Sequence, residues 1–228
     1  MIIPYEHIGL VDKEREVLRL AQGRRVLHLG CTDWPITESK AKTNQLLHLK
    51  LVNVARQVVG LDYSREGLEA LGRLTDAPLR FCDLTKDCSE LLQSLGQFEV
   101  ILCCDVLEHI ANFEGALLNI KRFMAPDSLL IVTVPNSFAV SKVLYVLAGN
   151  REKQHPEHTC SFSLGNLQQL LARFGLVVIR ADGFAYYSES PGPVRAKKLI
   201  HSLLNTFGRP GLADELMVRV KLAATSPD

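Results

Sequence analysis

Residues Arg25 to Asp62 read RVLHLGCTDWPITESKAKTNQLLHLKLVNVARQVVGLD. Arg25-Val26-Leu27-His28-Leu29 is a short apolar run that stops at Gly30, the pattern of a buried strand entering a turn. Val58-Val59-Gly60-Leu61-Asp62 is a second run closed by an acid, and a helical stretch from about Glu38 to Ala55 separates the two. Strand, crossover helix and strand make the unit that joins parallel neighbours, because parallel strands cannot be linked by a tight hairpin. The fold class depends on whether the rest of the chain repeats that unit.

It does. An amphipathic helix at Val11 to Gln22 precedes it, and Ser64 is placed to cap a helix running to Leu71. Leu79 to Cys82, followed by Asp83, reads as a strand, Ser89 to Leu95 as a helix and Phe98 to Cys104 as another strand. A helix from Phe113 to Met124 is expected to stop at Pro126, and Ser128 to Val134 is the most strand-like segment of all, ended by Pro135. Phe138 to Leu147 reads as an apolar helix, facing the core in preference to forming a lid or partner surface. Beyond it lie a helix Leu164 to Phe174, a strand Leu176 to Ile179, and a Gly/Pro/Ser-containing segment Tyr187 to Pro193. A helix to about Phe207 and a last strand Leu216 to Leu222 follow. Five strands alternating with helices imply an α/β chain, doubly wound, with a mostly parallel sheet and helices on both faces. Residues 1–228 read as a single domain without internal repeats.

Composition narrows the function. Of 228 residues, 47% are hydrophobic and 22% charged, enough for one large core. With 26 basic and 25 acidic residues the net charge is +1, so the overall field that draws a protein to nucleic acid is missing and no nucleic-acid partner is expected. No apolar run is long enough for a membrane span, and Met1 to Glu6 lacks a basic region ahead of an apolar one. The expected location is therefore cytoplasmic. Cys31, Cys82, Cys88, Cys103, Cys104 and Cys160 lack paired C-x-x-C spacing, so they read as reduced, mostly as small hydrophobes in strands.

In an open, doubly wound sheet, ligands bind outside the carboxyl ends of the strands. Here those ends read Gly30-Cys31-Thr32-Asp33, Asp62-Tyr63, Asp83-Leu84, Cys104-Asp105 and Pro135-Asn136. A carboxylate such as Asp62 can accept from a pair of ribose hydroxyls at once, and Asp83 can accept from an exocyclic adenine amine. Gly30 lets backbone approach a ligand that a Cβ would push away.

In that order and spacing, Val26-Leu-His-Leu-Gly-Cys31, Val59-Gly-Leu-Asp62, Phe81-Cys-Asp-Leu84, Phe98-Glu-Val-Ile-Leu-Cys-Cys-Asp-Val-Leu-Glu-His109 and Leu129-Leu-Ile-Val-Thr-Val-Pro-Asn136 resemble the successive motifs of class I S-adenosylmethionine-dependent methyltransferases. The likeness is particularly to the broad group that includes ubiquinone-biosynthesis O-methyltransferases, over roughly Arg24 to Ile179. The resemblance implies a Rossmann-like sheet of seven strands with the last antiparallel, and S-adenosylmethionine as cofactor. It places Gly30 under that cofactor, Asp62 at the ribose, Asp83 at the adenine and backbone near Cys104 at the methionine portion. The cofactor-binding set is then Gly30, Cys31, Asp62, Tyr63, Asp83, Leu84 and Cys104. Two features depart from the family. His28 stands where an acid is usual, and Cys31-Thr32-Asp33-Trp34 replaces the continuation of the glycine motif. The interval from Gly30 to Asp62 is also longer than the roughly 20 residues of related dinucleotide folds, which points to an enlarged loop over Thr32 to Thr43.

Methyl transfer from a sulfonium is an in-line displacement that needs positioning and dryness more than catalytic side chains. Where the acceptor must lose a proton, histidine is the natural base, and His158 and His109 are the candidates. His155 and His158 flank Pro156-Glu157, a turn that is either solvated or turned towards substrate. Asp105, Glu108 and His109 share one face if that segment is helical. Some of the related enzymes associate a similar E-x-x-E-H set with a divalent ion. Read from the residues alone, Asp105 caps the following turn and its neighbours bond locally, so no metal is assigned. The expected acceptor is a small molecule or sugar-type compound. Two other readings stand beside this one: a non-catalytic binding module on a degenerate fold, and a nicotinamide-dependent oxidoreductase, for which a G-x-G-x-x-G turn after Leu29 is missing.

Overall fold

The computed structural model describes residues 6–149, 155–184 and 212–224. They form β1 (Glu6–Leu10), α1 (Lys13–Ala21), β2 (Arg25–Leu29), α2 (Thr37–Lys42), α3 (Leu47–Val54), β3 (Gln57–Asp62), α4 (Arg65–Gly72), β4 (Leu79–Phe81), α5 (Ser89–Leu95) and β5 (Phe98–Cys104). A single 3-10 turn (Leu107–His109) leads into α6 (Phe113–Arg122), β6 (Met124–Pro135), α7 (Val140–Leu147), α8 (Leu164–Arg173), β7 (Leu176–Phe184) and β8 (Glu215–Leu222). One sheet runs in the order β1-β7-β8-β6-β5-β2-β3-β4. It is parallel throughout except at β8, which runs antiparallel to both β6 and β7.

The sheet thus has eight strands rather than the expected seven. The extra one, β1, joins the edge beside β7 with a register shift between His7 and Gly9. A five-residue edge strand interrupted by a glycine carries no apolar run, which is why its sequence does not announce it.

The strand interiors bury alternate residues against two helical layers, as the two-residue period of a strand requires. Leu27, Leu29, Val59, Leu61, Ile101, Cys103, Leu130 and Val132 pack with α6 and α8 through Leu117, Ile120, Leu167 and Leu171. Val26, Val58, Val100, Leu102 and Ile131 face the other way, onto Val17 and Ala21 of α1 and Leu51 of α3. Side-chain caps fix the helix starts: Asp12 accepts from the Arg15 amide, Ser64 from Gly67, Asn112 from Gly115 and Ser163 from Asn166.

His28 lies on the α3 side of β2, where His48 meets it in a stacked pair with ring centroids 5.4 Å apart and Nδ1 atoms 3.2 Å apart. Both rings are buried. Room for them comes from Gly60, the β3 partner of His28, since a Cβ there would stand 2.8 Å from His48 Cε1 and 2.7 Å from Cys31 Sγ. The acid usual at this position in the family is thus replaced by a ring that a second ring satisfies.

Several boundaries differ from expectation. The helix read from Glu38 to Ala55 is two helices, because Asn44 takes the left-handed conformation (φ 56°) between them. Pro126 does not stop α6, which ends at Arg122; it lies within β6 where the register with β5 slips between Phe98 and Val100, so its missing N–H costs no ladder bond. The apolar helix α7 does not face the core: none of its residues is buried, and Val143, Leu144, Tyr145, Val146 and Leu147 are exposed. Tyr187 to Pro193 and the helix expected to Phe207 lie outside the described residues. Among the described residues no helix is long and apolar enough to cross a membrane.

Candidate functional site

From β2 the chain builds outward through β3 and β4 on one side and through β5 and β6 on the other. The carboxyl ends of β2 and β5 therefore flank the point where strand order reverses, and a crevice opens there. Gly30 ends β2 with φ +67°, and a Cβ on it would lie 2.5 Å from Val106 Cγ2. Only glycine fits this turn, on grounds of both backbone and space. The turn after β2 and the turn after β5 are in contact across the crevice.

Asp62 ends β3 beside this turn and is buried. Its Oδ2 accepts from the Thr32 amide (3.0 Å) and the Thr32 hydroxyl (2.9 Å), and its Oδ1 from the Ser64 amide (2.9 Å). The carboxylate is less open than a strand-end acid read from sequence. Tyr63, next to it, is 73% exposed. Asp83 follows β4, half-buried, and its Oδ1 accepts from the Thr85 amide (2.9 Å) and hydroxyl (2.7 Å). That hydroxyl, more than any other contact, holds the Asp83 carboxyl below the ordinary range. Oδ2 has no bond among the described residues.

Three members of the expected cofactor set turn their side chains away. Cys31 is buried against Leu46 and Leu71, and Leu84 joins the main core, so each offers the crevice backbone only. Cys104 packs towards the α1 layer, and burial pushes its thiol up to about 12. A reactive thiolate has no place here, which agrees with the reading of these cysteines as hydrophobes.

Asp105 has φ +55°, the left-handed region, and does not cap the next turn as expected. Its Oδ1 accepts from Thr133 Oγ1 of β6 (2.9 Å), and its Oδ2 is ion-paired with Lys13 of α1. Lys13 Nζ also stands 3.9 Å from Glu215 Oε2 and 5.1 Å from the centre of the Phe184 ring. Burial works against the Lys13 charge, but Asp105 and then Glu215 outweigh it and raise its pKa. Glu215 itself is pushed up to about 8, first by burial and then by Asp105. These partners come from four separate elements, and no local signal links Lys13 to Asp105.

The short 3-10 turn splits Glu108 from His109: the glutamate is buried and the histidine exposed, so the three expected members do not share a face. Burial, with Asp105 second, pushes Glu108 up to about 8, and its Oε2 has no hydrogen-bond partner. A different trio forms instead. The segment after α7 is tied to the turn by Thr159, whose amide (2.8 Å) and hydroxyl (3.0 Å) both donate to the Glu108 carbonyl. His158 is thereby held with its ring centroid 4.8 Å from that of His109 and 5.0 Å from that of the exposed His155. Single donor atoms of Glu108, His109 and His158 lie within 4.8 Å of one another, a set able to hold a divalent cation. Burial first, then His109 and His155, lower the His158 pKa from its ordinary value.

Comparison with known proteins completes the picture. A family model described as a methyltransferase domain matches residues 6–181. The ubiquinone biosynthesis O-methyltransferase of Rhizobium rhizogenes is 24% identical over 176 residues, which cover 74% of this chain and 66% of that protein. Its counterpart in Glaesserella parasuis is 23% identical over 147 residues, 61% of this chain and 58% of that one. The chain spans between about half and two thirds of the length of the curated relatives it matches. Among solved structures, a SAM-dependent methyltransferase from Archaeoglobus fulgidus superposes with a TM-score of 0.55 at 15% identity, covering 92% of this chain and 91% of that one. That likeness concerns the fold, and the family follows from the model match across more than three quarters of the sequence: the chain belongs to the class I methyltransferase domain family.

Proposed function

We propose that the protein transfers a methyl group from S-adenosylmethionine to a small-molecule or sugar-type acceptor at the carboxyl edge of β2, β3, β4 and β5. One observation carries the reading: Gly30, Asp62 and Asp83 end consecutive strands along one rim, in the order that suits methionine, ribose and adenine. The residues fit the group. Gly30 takes a positive φ at a turn where a Cβ would meet Val106, Asp62 retains an open acceptor position, and Asp83 Oδ2 is unused among the described residues. When bound, the cofactor supplies an electrophilic methyl on a sulfonium. The chain's share is to align acceptor and methyl and to exclude water. In this reading His158, neutral near pH 7, takes the acceptor's proton, with His109 beside it. The near-zero net charge supports a small acceptor over nucleic acid. Titrating S-adenosylmethionine and NADH separately by calorimetry tests the reading: heat with the first alone supports it, heat with NADH alone favours an oxidoreductase, and no heat with either favours a binding module.

Asp62→Ala should weaken binding of S-adenosylhomocysteine by about 1.5 to 3 kcal/mol, the value of a hydrogen bond to a charged group, while unfolding stays cooperative. Unchanged affinity in the folded variant would remove Asp62 from the site. For Asp83→Asn the expected change is a weaker affinity for the adenosine end, because one amide orientation sets a donor against the adenine amine. Affinity equal to that of the parent protein would show that the base lies elsewhere.

A further inference from the structure

We infer that the hydroxyl of Thr32 occupies one of the two ribose-binding positions on Asp62, so that this protein recognises the cofactor ribose through one hydroxyl instead of two. The inference rests on the cofactor reading above and concerns a residue that takes the place of a glycine in the family's motif. An ionised carboxylate offers about four lone-pair sites. On Asp62 three are filled from within the chain, by the Thr32 amide and hydroxyl on Oδ2 and by the Ser64 amide on Oδ1. One site is left, on Oδ1. The two amides are fixed by the backbone, and only the Thr32 hydroxyl occupies its site by virtue of a side chain.

That side chain is not free to swing away. Thr32 is buried, and its backbone carbonyl accepts from Thr37 Oγ1 at 2.6 Å, which anchors the loop to the start of α2. On its other side lies α4, packed so closely that a Cβ on Gly67 would stand 2.5 Å from Thr32 Oγ1 and 3.0 Å from Trp34 Cβ. Neighbours from two helices therefore hold the hydroxyl against the carboxylate. A ribose bringing two hydroxyls to Asp62 finds one acceptor position open and the other already engaged by a neutral donor of the same kind.

The test is calorimetric binding of S-adenosylhomocysteine and its 2′-deoxy and 3′-deoxy analogues to the full chain and to Thr32→Ala and Thr32→Ser, with thermal unfolding to verify that each variant is folded. For the parent protein, one deoxy analogue should bind within about twofold of S-adenosylhomocysteine, and the other about 10- to 100-fold more weakly, as expected for one charge-assisted hydrogen bond. Thr32→Ala should bind S-adenosylhomocysteine more tightly and lose affinity for both deoxy analogues relative to it, because the second position is now open. Thr32→Ser keeps the hydroxyl and should behave as the parent. Equal losses for the two analogues in the parent protein, or an unchanged pattern in Thr32→Ala, would overturn the inference while leaving the cofactor reading intact. Binding of S-adenosylhomocysteine to none of the three proteins would overturn both. Binding to Thr32→Ala alone would overturn the inference, since the parent protein would then engage neither ribose hydroxyl.

Discussion

His158→Ala is expected to lower kcat by about 100- to 10,000-fold, the range for loss of a positioned general base, with the affinity for S-adenosylhomocysteine unchanged. The expectation follows from the proposed role and from how the ring is held. Thr159 pins the segment to the Glu108 carbonyl, and His158 reaches the end of β5 from a loop that could otherwise lie in solvent. Burial and the neighbouring His109 and His155 lower its pKa, so the ring is neutral at pH 7 and can accept a proton. Activity should then rise with pH along a limb that lies below the ordinary histidine value of about 6.5. Glu108, uncharged up to about pH 8, does not oppose this at neutral pH. A metal held by Glu108, His109 and His158 predicts a different result: chelation abolishes turnover, and a divalent ion restores it. Full activity with an unchanged pH profile in the variant would exclude the base, and turnover insensitive to chelator would exclude the ion.

The buried pair His28 and His48 makes the fold itself sensitive to acid. Burial lowers His48 to about 4 and, with the charges of His48 and Lys13 adding to the effect, takes His28 well below its ordinary value. An unfolded chain titrates these rings near 6.5, so below that pH it binds protons that the folded chain refuses. The stability they carry is complete above pH 6.5 and is lost as pH falls from there towards 4. For His48 alone the loss between pH 7.5 and 5 comes to about 2 kcal/mol. Urea unfolding at the two pH values measures it. Because carboxylates also contribute to acid sensitivity, the informative comparison is with His48→Gln, which keeps a partner for His28 Nδ1 but no titrating ring. That variant should lose about 2 kcal/mol less across the same interval. Equal losses in the two proteins would mean that the rings become protonated without opening the core.

What the sequence disclosed followed from how much of each feature is local. The apolar runs at Arg25–Leu29, Phe98–Cys104 and Ser128 to Val134 are mostly buried, so the central strands were legible in one pass, though the start of β6 at Met124 was not. That Gly30, Asp62 and Asp83 stand at or just past strand ends was legible because strand ends can be read from such runs. The break at Asn44 was hidden because the residues around it keep a helical spacing, while one left-handed residue decides the outcome. Helix α7 was misplaced because apolar composition does not reveal whether a partner face exists. The Lys13, Asp105, Thr133 and Glu215 cluster has no sequence signature, since its members lie far apart along the chain and meet only through sheet order. The exchange of Asp105 for His158 beside Glu108 and His109 has the same origin. An i, i+3, i+4 spacing describes a face only if an α-helix forms, and here a single 3-10 turn forms instead.

The place of β8 bears on how the molecule can be made. Among the described residues it is the last strand along the chain, yet it lies between β6 and β7, and β1 reaches the sheet there only through β7. During synthesis the central strands from β2 to β6 can assemble while β8 is still unmade, but β7 and β1 have no neighbour to join them to that core. The nascent chain therefore carries an open β6 edge and two unattached strands until Glu215–Leu222 leaves the ribosome. Open edges of this kind invite pairing with other chains. Expression that is slow or cold, or that supplies a chaperone late in elongation, should raise the yield of folded protein more than any change near its amino terminus.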